Sequence, residues 1–108
     1  MWKPVLGFLL VALAAMSQAS IVTKRIDYKQ GDTTLEGFLA YDDSKSGARP
    51  AVMIVHDWTG LDDYEEMRAK QLAGLGYIAF AVDIYGKGVR PKNAQDSGAQ
   101  AGKYRGDT

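Results

Sequence analysis

After residue 20 the hydrophobic pattern changes character several times, and each change predicts a different element. Residues 21 to 29 and 33 to 41 are runs rich in β-branched and aromatic residues, joined by Gln30, Gly31 and Asp32. Gly31 tolerates the positive φ of a tight turn, so the pair predicts a β-hairpin. Residues 42 to 50, DDSKSGARP, are polar, contain Gly47 and end in Pro50, which predicts a surface loop. The next stretch, AVMIVH, is continuously apolar rather than alternating, the pattern of a strand covered on both faces in a sheet interior. From Asp62 a capping box with Glu65 three residues on opens a helix. Tyr64, Met67, Leu72 and Leu75 are expected on its buried face, and Gly76 ends it in a left-handed conformation. YIAFAVDIYG reads as a second buried strand. Strand, helix and strand then form a right-handed βαβ unit whose ligand-side loops are residues 56 to 60 and 83 to 88. A weaker helix, interrupted by Gly98 and Gly102, is expected over 94 to 104.

The first twenty residues follow another logic. Lys3 precedes an apolar stretch from Val5 to Met16 and the triplet Ser17, Gln18, Ala19. This order predicts a secretory signal cut after Ala19, with residues 20 to 108 as the mature portion. About twelve apolar residues fall short of the ~20 that span a bilayer, so no stable membrane anchor is expected. Periplasmic or secreted localisation follows. Thirteen basic residues less Lys3 leave twelve against thirteen acidic ones, so the mature chain is nearly neutral, without the basic run that predicts a nucleic-acid partner. With no cysteine, no disulfide supports the fold in an oxidising compartment.

The candidate chemistry gathers at the strand ends. His56, the only histidine, stands beside Asp57 and Trp58. Asp83, Tyr85, Lys87 and Arg90 follow the second strand. Gly86, Lys87 and Gly88 lack the spacing of a phosphate-binding loop, and no metal constellation or cofactor motif is present. The serines, Ser17, Ser20, Ser44, Ser46 and Ser97, all lack the glycine frame of a nucleophile elbow.

Three stretches together, YKQGDTTLEGFLAYDD, PAVMIVHDWTGLDDYEEMRAKQLAGLGYIAFAVDIYGKG and AGKYRGD, resemble the amino-terminal part of the dienelactone hydrolase family of α/β-hydrolases. The resemblance implies an α/β fold: the opening of an α/β-hydrolase sandwich, a β-hairpin followed by the βαβ of a mostly parallel sheet. It implies hydrolysis of an ester or lactone bond, as by a carboxymethylenebutenolidase, through a covalent acyl-enzyme and without a cofactor. The family's nucleophile, acid and base lie further along the chain, so none of the triad is expected here and this portion alone is expected to be inactive. Matching HDWTG to the family's motif places an oxyanion-hole donor at the Trp58 backbone N–H. Asp57 falls where relatives carry a glutamate that modulates the nucleophile, and the alternative is a loop-ordering carboxylate. His56 is expected to hold the loop rather than to act as base. Lys87 matches a position where some relatives bind a substrate carboxylate, Tyr85 is a candidate pocket residue, and Arg90 is a spare cation. Asp83 is expected to satisfy backbone donors.

The partner expected is a small-molecule ester or lactone. Two other readings stand beside this one: a broader serine carboxylesterase or peptidase-like α/β-hydrolase, and a small secreted module without catalysis. The sequence leaves the oligomeric state, the physiological substrate and the choice of cysteine or serine nucleophile open.

Overall fold

The computed structural model describes residues 20–106, so the expected signal segment lies outside the described residues. Strands β1 (Ile21–Gln30) and β2 (Thr33–Asp42) form the expected hairpin, with Gln30 opposite Thr33 at its closed end. Gly31 has φ of 59° and Asp32 keeps a negative φ, the φ pattern of a type II′ turn. The next elements are β3 (Ala51–Val55), α1 (Asp63–Gly74), β4 (Ile78–Val82) and α2 (Ala94–Arg105). The sheet order is β1-β2-β4-β3, with β4 antiparallel to β2 and parallel to β3. The sheet is therefore mixed, and α1 makes the crossover that parallel β3 and β4 require.

Local signals set the ends of α1. The Asp62 side chain accepts from the Tyr64 N–H, and Glu65 reaches back to the Asp62 N–H, the reciprocal pair of a capping box. At the other end the Gly76 N–H bonds to the Ala73 carbonyl and the Tyr77 N–H to the Leu72 carbonyl, a Schellman arrangement. Gly76 has φ of 101°, which an L side chain rarely adopts.

The buried face of α1 is not the one its larger residues predict. Tyr64, Met67 and Leu75 are exposed, Leu72 is half-buried, and Glu65, Ala69 and Ala73 face inward. The core joins Ala69 and Ala73 to Phe38, Ala40, Ala79, Ala81 and Leu61, with Ile54 and Leu72 at its margin. Alanine against alanine lets the helix axis lie close to the sheet, so the small residues, not the bulky ones, mark the contact face.

Strand β3 also departs from expectation. It lies at the edge of the described sheet and alternates in burial, with Met53 67% and Val55 61% exposed. Its apolar run fills only one covered face here, because α1 packs on the side of Val52 and Ile54. Asp42, expected in a surface loop, is instead the buried last residue of β2.

Helix α2 forms despite its glycines. The Asn93 side chain caps it by accepting from the Asp96 N–H at 2.8 Å. Tyr104 ties it to the loop after β4, stacking on Tyr85 with ring centroids 5.8 Å apart and donating to the Tyr85 carbonyl at 3.3 Å. Among the described residues no helix is long and apolar enough to cross a membrane.

Candidate functional site

Parallel pairing of β3 and β4 brings their carboxyl ends side by side, which places the loop from His56 to Gly60 against the loop from Asp83 to Gly88. The first loop is a tight turn closed by the Gly60 N–H on the Asp57 carbonyl at 3.2 Å. Asp57 Oδ1 accepts from the Thr59 N–H at 2.9 Å and also from the Thr59 hydroxyl. Those bonds, the hydroxyl's first, hold the Asp57 carboxyl below the usual carboxylate range. The turn thus has its Thr59 and Gly60 N–H groups occupied, while the Trp58 N–H has no acceptor among the described residues.

Both peptide planes around Trp58 are fixed from outside the turn. His56, buried, sits with Nδ1 2.7 Å from the Asp57 carbonyl oxygen, and its Nε2 lies 3.1 Å from the Ile84 nitrogen. The Ile84 N–H can only donate, so Nε2 accepts, which leaves the proton on Nδ1 to donate to Asp57. A planar trans peptide points its C=O and N–H in opposite directions. Holding the Asp57 carbonyl on His56 and Gly60 therefore aims the Trp58 N–H away from them. On the other side the Tyr85 hydroxyl donates to the Trp58 carbonyl at 2.9 Å. Tyr85 is buried, and its ring lies 4.9 Å from the imidazole in an edge-on contact. Burial pushes the Tyr85 phenol pKa up, which keeps the hydroxyl a donor.

Asp83 supports the second loop. Its Oδ1 accepts from the N–H groups of Tyr85 at 3.1 Å and Gly86 at 3.2 Å, and its Oδ2 accepts from the Glu36 N–H at 3.0 Å. The Tyr28 hydroxyl spans the same residue, accepting from its N–H at 2.7 Å and donating to its carbonyl at 2.6 Å. Arg90 Nη1 donates to the Val89 and Gly86 carbonyls and lies 3.5 Å from Asp83 Oδ1.

Of the residues expected at the site, Asp57, Trp58 and Tyr85 come together with His56. Lys87 turns elsewhere: its Nζ is 2.7 Å from Asp27 and 3.6 Å from Glu36, on the hairpin. The hydrogen bond to Asp27, with the charge behind it, raises the Lys87 pKa. A substrate carboxylate at that ammonium would compete with Asp27 for it. The Trp58 indole is half-exposed and borders a cavity of about 280 Å³ lined also by Thr59, Pro91, Asn93 and Ser97. No serine among the described residues is hydrogen-bonded to His56, and Ser44 is bonded to Asp42 instead. No group of residues able to hold a metal occurs among those described.

Two supporting residues carried little signal. Tyr28 lies in the hairpin, 55 residues from the Asp83 it braces, and no local pattern links them. Glu65 was legible as a capping residue, but its burial, which pushes its carboxyl pKa up, follows from α1 turning that face to the sheet.

Comparison with known proteins places these features. The profile described as "Dienelactone hydrolase family" matches residues 35–106. The chain is 35% identical over 79 residues to YghX of Escherichia coli (strain K12), named as a hydrolase fragment, covering 71% of this chain and 68% of that one. It is 32% identical over 77 residues to a protein of Aquifex aeolicus (strain VF5) named as a carboxymethylenebutenolidase, covering 68% of this chain but 31% of the relative. Among solved structures, m3DLH superposes with a TM-score of 0.76 at 32% identity, over 81% of this chain and 36% of its own. The dienelactone hydrolase-like promiscuous phosphotriesterase P91 from metagenomic libraries gives 0.75 at 33% identity, over 82% and 36%. The chain thus spans about a third of the length of these solved relatives.

Proposed function

The chain belongs to the dienelactone hydrolase family, and from that membership we propose that it contributes half of an oxyanion hole to an exported enzyme that hydrolyses an ester or lactone through an acyl-enzyme. The observation that carries this reading is the Trp58 N–H, which has no acceptor among the described residues and is aimed outward at the carboxyl end of β3, between the occupied carbonyls of Asp57 and Trp58. In α/β-hydrolases one such donor follows the third strand and the other follows the nucleophile. A preorganised donor is worth on the order of 3 kcal/mol because it is already oriented where negative charge develops on the acyl oxygen.

The other residues divide by what they touch. Trp58 supplies its backbone, so the indole is free to vary. His56 and Tyr85 act as positioning residues through the carbonyls on either side of Trp58. Asp57 orders the turn through Thr59 and modulates a nearby nucleophile with its second oxygen. The nucleophile, acid and base come from the two-thirds of the domain that the solved relatives have beyond the matched region. The exposed Met53 and Val55 on an edge strand of the described sheet support a place inside such a larger domain over a free-standing secreted module. Residues 1–19 direct export, with cleavage after Ala19, to the periplasm or beyond.

The test is a chimera in which residues 35–106 replace the matched region of the metagenomic relative P91, assayed with a p-nitrophenyl ester. Trp58→Ala keeps the N–H and should leave kcat within a few-fold. Trp58→Pro removes it and should lower kcat by roughly 10²–10³. Equal rates for the two variants would remove Trp58 from the oxyanion hole.

A further inference from the structure

Asp42 stands at the opposite end of the sheet from the candidate site, and its carboxylate is only half satisfied. It is 1% exposed. Its Oδ1 accepts from the Ser44 hydroxyl at 2.6 Å, the Ser44 N–H at 2.9 Å and the Ser20 N–H at 3.2 Å. Its Oδ2 is buried and has no partner among the described residues. A buried carboxylate oxygen without a donor is costly, and in native proteins such a group calls for an explanation. One donor already on this carboxylate is unusual: Ser20 is the residue that follows the expected cleavage point, and its N–H bonds to Oδ1.

We infer that cleavage after Ala19 creates an α-ammonium on Ser20 that docks against Asp42 and completes this buried carboxylate site. The inference rests on the export reading above. A leader-processing protease would add water across the Ala19–Ser20 peptide bond. The carboxylate leaves with Ala19, and the new amine on Ser20 takes up a proton at neutral pH. One amide N–H thereby becomes an ammonium with three N–H donors and a full positive charge, and charge-assisted bonds to carboxylate are about twice as strong as neutral ones.

The surroundings already hold both partners in place. Strand pairing sets Ile21 opposite Asp42, and the Asp43 N–H donates to the Ser20 carbonyl at 2.9 Å, so the terminus is anchored on its carbonyl side. Ser20 itself is exposed, so the new terminus would lie at the surface with its nitrogen beside the buried carboxylate. The other charged groups at this end are Lys45 and Asp43 on the loop and Arg49, whose Nη1 donates to the Asp42 carbonyl at 2.7 Å rather than to the carboxylate. The Arg49 Nε–H is also buried without a partner among the described residues and makes no bond to Oδ2, which leaves that oxygen open to the terminus.

The pH consequence has a definite sign. A carboxylate partner raises the α-ammonium pKa above its ordinary value of roughly 7.7–8.0. The docked terminus therefore contributes stability that is complete below that range and is lost as pH rises through the raised, folded value.

The experiment uses the exported protein, labelled with ¹⁵N-serine. Mass spectrometry of the intact chain should find Ser20 at its amino terminus. NMR titration of the Ser20 α-nitrogen should give a midpoint at least about one pH unit above the ordinary range, falling back into it in Asp42→Asn. Acetylating the terminus should lower Tm by several degrees. A mature chain starting at another residue overturns the cleavage reading and the docking with it. Ser20 at the terminus with an ordinary midpoint overturns the docking alone, leaving export intact. Should Asp42→Asn fail to fold, the midpoint in the unaltered protein still decides.

Discussion

Asp83 and Asp42 are both almost fully buried, 2% and 1% exposed, yet the two ends of the sheet satisfy them in opposite ways. At the carboxyl ends of β3 and β4, Asp83 uses both oxygens on three backbone N–H groups drawn from β2 and its own loop. At the other end, Asp42 gathers three donors on one oxygen and leaves the second empty. The closed constellation is scaffold: two of its donors belong to its own loop and the third ties that loop to β2. The open one has room for a further donor. A buried acid is thus not informative by its burial alone; the bookkeeping of its two oxygens separates a finished support from an unfinished site.

The largest effect should come from breaking the finished support. Asp83→Ala strands the N–H groups of Glu36, Tyr85 and Gly86, and unsatisfied buried donors cost about 1–3 kcal/mol each before relaxation. A loss on the order of 3 kcal/mol is expected in urea unfolding, with the His56 imidazole signals shifting because Ile84 moves. Unchanged stability would show that water replaces the carboxylate freely. A smaller loss, about 1–2 kcal/mol, is expected for Tyr28→Phe, which keeps the ring but removes the hydroxyl spanning the Asp83 peptide groups. If the two variants cost the same, the hairpin rather than the carboxylate holds this end together.

The smallest effect is expected at the unfinished site, where the contribution lost in Asp42→Asn is present at neutral pH and fades on the acid side. The Ser44 hydroxyl, aided by the Ser44 and Ser20 N–H groups, holds the Asp42 carboxyl below the usual range. A depressed carboxyl contributes stability above its unfolded value, near 3.9, and loses it as pH falls through the lower folded value. Asp42→Asn should therefore flatten the decline in Tm below about pH 4. An unaltered acid limb would assign that decline to other carboxylates.

Legibility followed distance along the chain. The hairpin turn at Gly31, the Asp62 and Glu65 capping box, the left-handed Gly76 and the helix over 94 to 104 were all readable, since each signal occupies a few neighbouring residues. HDWTG was readable as a motif, and so was its position at a strand end. What it does was less so, because His56 looks like a base until Ile84, 28 residues away, is seen to occupy Nε2. Lys87 looked free for a substrate because nothing nearby in sequence announces Asp27, 60 residues before it.

The sequence by itself determined the order of elements, the ends marked by caps and turns, and the family to which they belong, because turns, caps and motifs are written in contiguous residues. Only the tertiary structure decided which face of α1 meets the sheet, that β3 lies at an edge of the described sheet, that His56 is spent on two backbone groups, and that Asp42 is buried beside Ser20. The physical reason is that burial and hydrogen-bond partners belong to pairs of surfaces, and a surface has no partner until the chain has folded onto it.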